Sequence, residues 1–231
     1  MWPTVKLRTC SKPNSQTRNP KPRKPSQTMP DELKLTTMVV LGSSRQGRMG
    51  DRVGKFLLDQ LRNHRKQVEH VIDYVDLAEL QLEFMVQAVH YHSSPALIPP
   101  HIAALEKRIA RADAFVFISP EYNHSMSPVL ANFINHFPPT ALAGKPSAIA
   151  VYSMGPFGGV RAAMQMRSML GVLAIPISSI LAVPEVQHSL DPDGKPVGPF
   201  ASSLESQANK LLGELEWYGE ATKVQRGKRL L

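Results

Sequence analysis

The chain has 231 residues, 42% of them hydrophobic, and a formal charge of +8. That size and composition suit one substantial core with tails, and no run approaches the ~20 consecutive apolar residues of a bilayer-spanning helix. A single cysteine, Cys10, excludes an intrachain disulfide framework and a cysteine-based metal site, so any redox chemistry needs a bound cofactor.

Residues 1–30 carry Lys6, Arg8, Lys12, Arg18, Lys21, Arg23 and Lys24, six prolines and no acidic residue. Prolines oppose a regular helix, and so few apolar side chains cannot offset chain entropy, so residues 1–34 read as a disordered basic tail. No compact apolar stretch follows as a secretory signal requires, which leads us to expect a cytoplasmic protein. An organellar transit segment, or a tail that binds RNA, DNA or an anionic membrane, is the alternative use of this extension. Lys223, Arg226, Lys228 and Arg229 form a second basic tail over 219–231. The body between is near neutral, which argues against a nucleic-acid-binding face.

Within the body, taken as residues 35–218, Leu35 to Leu41 reads as a strand. Arg52 to Arg65 reads as a helix, with Val53, Phe56, Leu57 and Leu61 at helical spacing and Asp51 as its cap. Val68 to Leu77 is a second strand, 78–100 is irregular, His101 to Arg111 is helical, and Ala114 to Ser119 is the third strand. Ser127-Pro128 opens a helix in the preferred way, cap followed by proline, and Pro138-Pro139 ends it. Ser147 to Tyr152 forms the fourth strand, and a helix from Val160 to about Leu173 is expected to break near Gly171. Ile177 to Val183 is the fifth strand and Ser202 to Tyr218 the last helix. Five strands alternating with helices predict a doubly wound parallel α/β sheet with the first strand central.

Two apolar runs break into polar loops: Met38–Leu41 into Gly42-Ser43-Ser44-Arg45-Gln46-Gly47-Arg48, and Ile118-Ser119 into Pro120-Glu121-Tyr122-Asn123-His124-Ser125. Loops at the carboxyl ends of parallel strands are where open α/β sheets bind ligands. Hydroxyls, arginines and amides before a helix suit a phosphate monoester, and a tyrosine ring suits a flat heteroaromatic. Gly42 and Gly47 have the spacing of a nucleotide P-loop, but Arg48-Met49 replaces its Lys-Ser/Thr pair, and the dinucleotide glycine spacing fails too. A terminal phosphate such as that of FMN remains; a polar turn that merely caps the helix is the plain alternative.

Three segments resemble the NAD(P)H-dependent FMN reductase family of flavodoxin-like quinone, azo and chromate reductases. Leu41-Gly42-Ser43-Ser44-Arg45 with Gly47-Arg48 is similar to the family's phosphate loop. Pro120-Glu121-Tyr122-Asn123 with Ser125 resembles its Pro-Glu-Tyr-Asn segment, and Ser153-Met154-Gly155-Pro156-Phe157-Gly158-Gly159-Val160-Arg161 its Ser-x-Gly-x-x-Gly-Gly-x-Arg loop. The resemblance implies a flavodoxin-like five-stranded sheet of order 2-1-3-4-5 that binds FMN, with NADPH or NADH as co-substrate. It further implies that Ser43, Ser44, Arg45 and Arg48 bind the phosphate. Pro120, Glu121, Tyr122 and Asn123 would line the flavin ring, while Ser153, Gly155, Gly158 and Gly159 approach its pyrimidine edge. Phe157 and Arg161 are candidates for contact with the nicotinamide nucleotide.

A ping-pong cycle in which NAD(P)H and a small-molecule acceptor (a quinone, flavin, azo dye or metal oxyanion) use the same space follows from this resemblance, as does a homodimer or homotetramer. Competing readings are an FMN-binding electron carrier or redox sensor, and a scaffold that has lost its cofactor. Val151–Gly155 approaches a hydrolase nucleophile elbow but lacks its first glycine, and His188 precedes Asp191 and Asp193, against the required order. His90, His92, His101 and His124 read as surface residues with no metal assigned to them.

Overall fold

The computed structural model describes residues 33–64, 68–80 and 82–228, which belong to one compact unit. Five strands, β1 (Leu33–Leu41), β2 (Val68–Asp76), β3 (Ala114–Pro120), β4 (Pro146–Tyr152) and β5 (Ile175–Val183), make one sheet of order β2-β1-β3-β4-β5. All four pairings are parallel. This is the expected flavodoxin-like order, with one adjustment: β3 is the middle strand and β1 its neighbour. The winding direction reverses between β1 and β3, so the loops leaving these two strands diverge to opposite faces and open a crevice between them.

Among the described residues seven α-helices follow in chain order: α1 (Gly50–Asn63), α2 (Leu77–Leu80), α3 (Pro100–Arg111), α4 (Pro128–Asn135), α5 (Val160–Leu173), α6 (Val186–Ser189) and α7 (Ala201–Lys228). Every residue of β3 and β4 is buried, because helices cover both faces, and so these strands read as unbroken apolar runs. Alternate side chains serve the two layers: Met38, Val40, Phe115 and Phe117 pack with α3, α4 and α5, while Val39, Leu41, Val116 and Ile118 pack with α1 and α7.

Local details depart from expectation. Asp51 sits inside the first turn of α1 rather than at its cap, which is Met49, because its carboxylate is drawn to Arg48. Gly171 does not break α5; it faces open space near the helix end, where a missing side chain costs no packing. Residues 219–228, read as part of a basic tail, instead continue α7. Their ordering comes from the amino end of the sheet, where Asp113 accepts hydrogen bonds from Lys223 at 2.8 Å and Arg226 at 3.0 Å. The same carboxylate takes the Thr36 amide at 3.0 Å. Nearby, buried Lys145 donates to the carbonyls of Ile109 and Ala110 at the end of α3, and burial pulls its ammonium down to about 8.

The tail expected over 1–34 lies outside the described residues except for Leu33 and Lys34, which open β1. No helix among the described residues is long and apolar enough to cross a membrane. The exposed edge of β5 is occupied by side chains: the Glu214 carboxylate accepts from the amides of Ser178 and Ser179 at 2.7 and 2.8 Å, and Arg167 donates to the carbonyls of Ile177 and Ser178.

Candidate active site

Three loops leave the carboxyl ends of β1, β3 and β4 on the same rim. Gly42 starts the first by donating its amide to Ile118 O at 2.8 Å, and only glycine fits there, since a Cβ would lie 2.7 Å from that oxygen. Beyond it, the amides of Ser44, Arg45 and Gln46 donate to no other group among the described residues. Free amides next to the N-terminus of a fourteen-residue helix are an anion-binding arrangement.

The hydroxyls and cations of this loop have separate duties. Ser43 is fully buried, and its Oγ meets the Tyr122 hydroxyl at 3.0 Å, tying the first loop to the second. Ser44 and Arg45 are exposed, and the Arg45 guanidinium lies 3.5 Å above the Tyr122 ring centroid. Arg48 differs. It donates to both Asp76 oxygens, to Asp51 and to the Ser43 carbonyl, which holds the loop in shape and raises the guanidinium further above its ordinary pKa. Asp76 is buried, yet the bonds from Arg48 and the Ala78 amide keep its carboxyl below the usual range. Arg48 is therefore committed to carboxylates, and Arg45 is the arginine left facing outward.

The second loop is closed by its own backbone. Tyr122 and Ser125 exchange amide hydrogen bonds of 2.9 Å across Asn123 and His124, both with left-handed φ (49° and 63°). This is the geometry of a two-residue hairpin, in which Asn is favoured and His is not. Ser119 Oγ, buried below, accepts the Ser127 amide at 2.9 Å and fixes where the loop returns to α4. Glu121 turns its carboxylate away from the crevice. It accepts Arg161 Nη1 at 2.6 Å and the amides of Arg161 and Ala162 at 3.0 and 3.3 Å, so it caps α5 and joins the second loop to the third. Those donors hold its pKa down against the opposing effect of burial.

In the third loop Ser153 Oγ donates to Gly155 O at 3.0 Å. Gly158 and Gly159 have φ of 63° and 90° and press against Pro184 and Tyr152, so glycine is required there by the packing between the ends of β4 and β5. Gly155 has open space around it. Phe157 is largely exposed, with the Arg161 guanidinium 4.8 Å from its ring centroid.

A cavity of about 310 Å³ lies between the loops, lined by Arg45 to Met49, Pro120 to Tyr122, and Tyr152 to Met154. A second, of about 530 Å³, runs from Ser44 and Arg45 past Tyr122, Asn123 and Ser125 to the start of α4. The two share Arg45 and Tyr122. Of the expected residues, Arg45, Arg48, Pro120, Glu121, Tyr122 and Ser153 meet at the first cavity, Ser44 and Asn123 at the second. Gly155, Phe157, Gly158, Gly159 and Arg161 line neither. Gln46, Met49, Tyr152 and Met154 were missed as lining residues; Tyr152 and Met154 flank Ser153, which was the available signal.

A cradle of free amides and an outward arginine at one end, and a narrow slot beside an aromatic ring at the other, fits a phosphate joined to a flat ring. The NADPH-dependent FMN reductase family model matches residues 35–188. The chain belongs to that family. FMN and NAD(P)H are accordingly its cofactor and co-substrate, and the family's members are oxidoreductases. An NAD(P)H-dependent FMN reductase of Pseudomonas aeruginosa is 34% identical over 119 residues, a stretch covering 49% of this chain and 64% of that protein. The quinone reductase of Escherichia coli K12 is 27% identical over 195 residues, covering 81% and 95% respectively. A flavoenzyme NAD(P)H:(acceptor) oxidoreductase from Paracoccus denitrificans shares the fold at a TM-score of 0.60 and 21% identity, over 80% of this chain and 98% of that one.

Proposed function

We propose that this chain is an NAD(P)H-dependent FMN reductase acting on quinones or similar small acceptors, with the three-loop crevice as its active site. The observation that carries the reading is the 310 Å³ cavity, which brings the loops of β1, β3 and β4 together in a family member. FMN, when bound, accepts hydride from the nucleotide and releases electrons to an acceptor, so the protein need only bind, orient and shield.

In this reading Ser44, Arg45 and the free amides of the first loop hold the phosphate, with Ser43 and Arg48 shaping the loop from behind. Pro120, Glu121 and Tyr122 present backbone and ring to one side of the flavin, and Ser153 with Met154 to the other. Glu121 contributes by fixing the spacing of these two loops, since its carboxylate binds Arg161 and the start of α5. The nucleotide and then the acceptor occupy the same open face in turn, a ping-pong order. The Arg161 guanidinium is held by Glu121, so its part in nucleotide binding is to brace Phe157. A homodimer or homotetramer that helps enclose the flavin is part of the proposal, as is a basic extension dispensable for catalysis.

The test is an anaerobic spectrum of the FMN-reconstituted protein before and after NADPH or NADH. Loss of the flavin band near ~450 nm supports the reductase. Bound flavin that stays oxidised would favour a carrier or sensor, and absence of flavin binding would dismiss the site. Deleting residues 1–30 should leave flavin binding and turnover unchanged.

A further inference from the structure

Tyr152, the last residue of β4, is 4% exposed, and its hydroxyl is buried with no hydrogen-bond partner among the described residues. The Ser43 hydroxyl is a polar neighbour, but its hydrogen bond is the one it shares with the Tyr122 hydroxyl at 3.0 Å. Such a group is costly in a core, so its retention where phenylalanine would pack equally well asks for a reason. Position 50 shows where the hydroxyl points. A Cβ on Gly50 would come within 2.5 Å of the Tyr152 oxygen, so the first residue of α1 is a glycine that makes room for it. The hydroxyl thus enters between the phosphate loop and the N-terminus of α1, and Tyr152 lines the same cavity as Arg45 to Met49. Burial raises its pKa, which keeps the phenol protonated and a donor at neutral pH.

We infer that Tyr152 is a further cofactor-binding residue, whose hydroxyl donates to a phosphate oxygen of FMN from the floor of the first loop. This rests on the FMN reading above. Arg45 and Gln46 line the same cavity as Tyr152, and the amides of Ser44 to Gln46 are untied among the described residues, so the loop can settle around an anion that also meets Tyr152. The hydroxyl then exchanges an unsatisfied state for a charge-assisted bond, and the cofactor acquires a contact that riboflavin cannot make.

The experiment is Tyr152→Phe, with FMN and riboflavin affinities measured by flavin fluorescence and melting measured on flavin-free protein. The expected result has three parts: FMN affinity falls about tenfold or more, riboflavin affinity stays the same, and the flavin-free variant melts no lower than the parent. Unchanged FMN affinity would overturn the assignment, as it would if a buried water satisfied the hydroxyl. An equal loss for riboflavin would place the contact on the ribityl chain or ring and overturn it too, and a variant that fails to fold would assign the hydroxyl an internal role. If the parent chain itself binds no FMN, the functional reading fails along with this one.

Discussion

At the amino end of the sheet, Asp113 gathers Lys223, Arg226 and the Thr36 amide, while Lys145 and Arg226 reach backbone carbonyls. At the carboxyl end, Arg45 rests on a tyrosine ring, and among the described residues the amides of Ser44 to Gln46 have no acceptor and the Tyr152 hydroxyl has no hydrogen-bond partner. Both ends are rich in cations, so composition alone does not separate them. One end uses charge to hold α7 and the strands together. The other leaves hydrogen-bonding capacity unspent, except where Arg48 and Glu121 are needed to shape the loops. A binding site is recognisable here by what its groups have not yet bonded to.

The largest blow to this contrast should come from Asp113→Ala. Removing a mostly buried carboxylate that neutralises two partly exposed cations is expected to lower stability by about 1.5 to 3 kcal/mol, read from urea unfolding, with FMN affinity in the surviving folded protein unaltered. Arg45→Ala should do the reverse. Loss of one charge-assisted contact to phosphate weakens FMN binding by roughly ten- to a hundredfold, while the flavin-free protein melts at the parent temperature.

Acid should act on the carboxyl end through Glu121. Its folded pKa lies below the ordinary value, so its contribution is complete above about pH 4.5 and is lost as pH falls through the lower folded value. Glu121→Gln should therefore weaken FMN binding at neutral pH and flatten its loss on acidification through that window, both measured by fluorescence; an acid-induced release as steep as the parent's would exclude Glu121 as its source. The smallest effect belongs to Lys145. Between about pH 8 and its ordinary 10.5 the unfolded chain holds a proton that the folded chain does not, so stability rises with pH across that window. Lys145→Met should flatten this rise, and an unchanged slope would remove Lys145 from the account.

The strands, their order and the three loops could be read from sequence because each strand is a short apolar run with covered faces, a property local to the run. The features that were missed depend on distant partners. Helix α7 extends ten residues past Tyr218 because Lys223 and Arg226 find Asp113, more than a hundred positions earlier. The resemblance places Glu121 beside the flavin ring, yet its carboxylate is held by Arg161 and the start of α5, forty residues on. The hairpin at Asn123-His124 lacks the glycine that usually announces it. The Arg48 guanidinium, which the resemblance assigns to the phosphate, is also held by Asp76 at the end of a different strand, a partner that no local pattern shows.

The side chains of Glu214 and Arg167 along β5 act as a surrogate sixth strand. A free edge is a template on which another chain can polymerise, and here the amides of Ser178 and Ser179 and the carbonyls of Ile177 and Ser178 are already answered by groups that cannot propagate the ladder. Glu214 lies on α7, which is anchored in turn by Asp113 at its far end. The C-terminal helix therefore blunts the first part of this edge through Glu214, as α5 does through Arg167, and fraying α7 should leave the amides of Ser178 and Ser179 unpaired while the crevice at the other rim keeps its contacts.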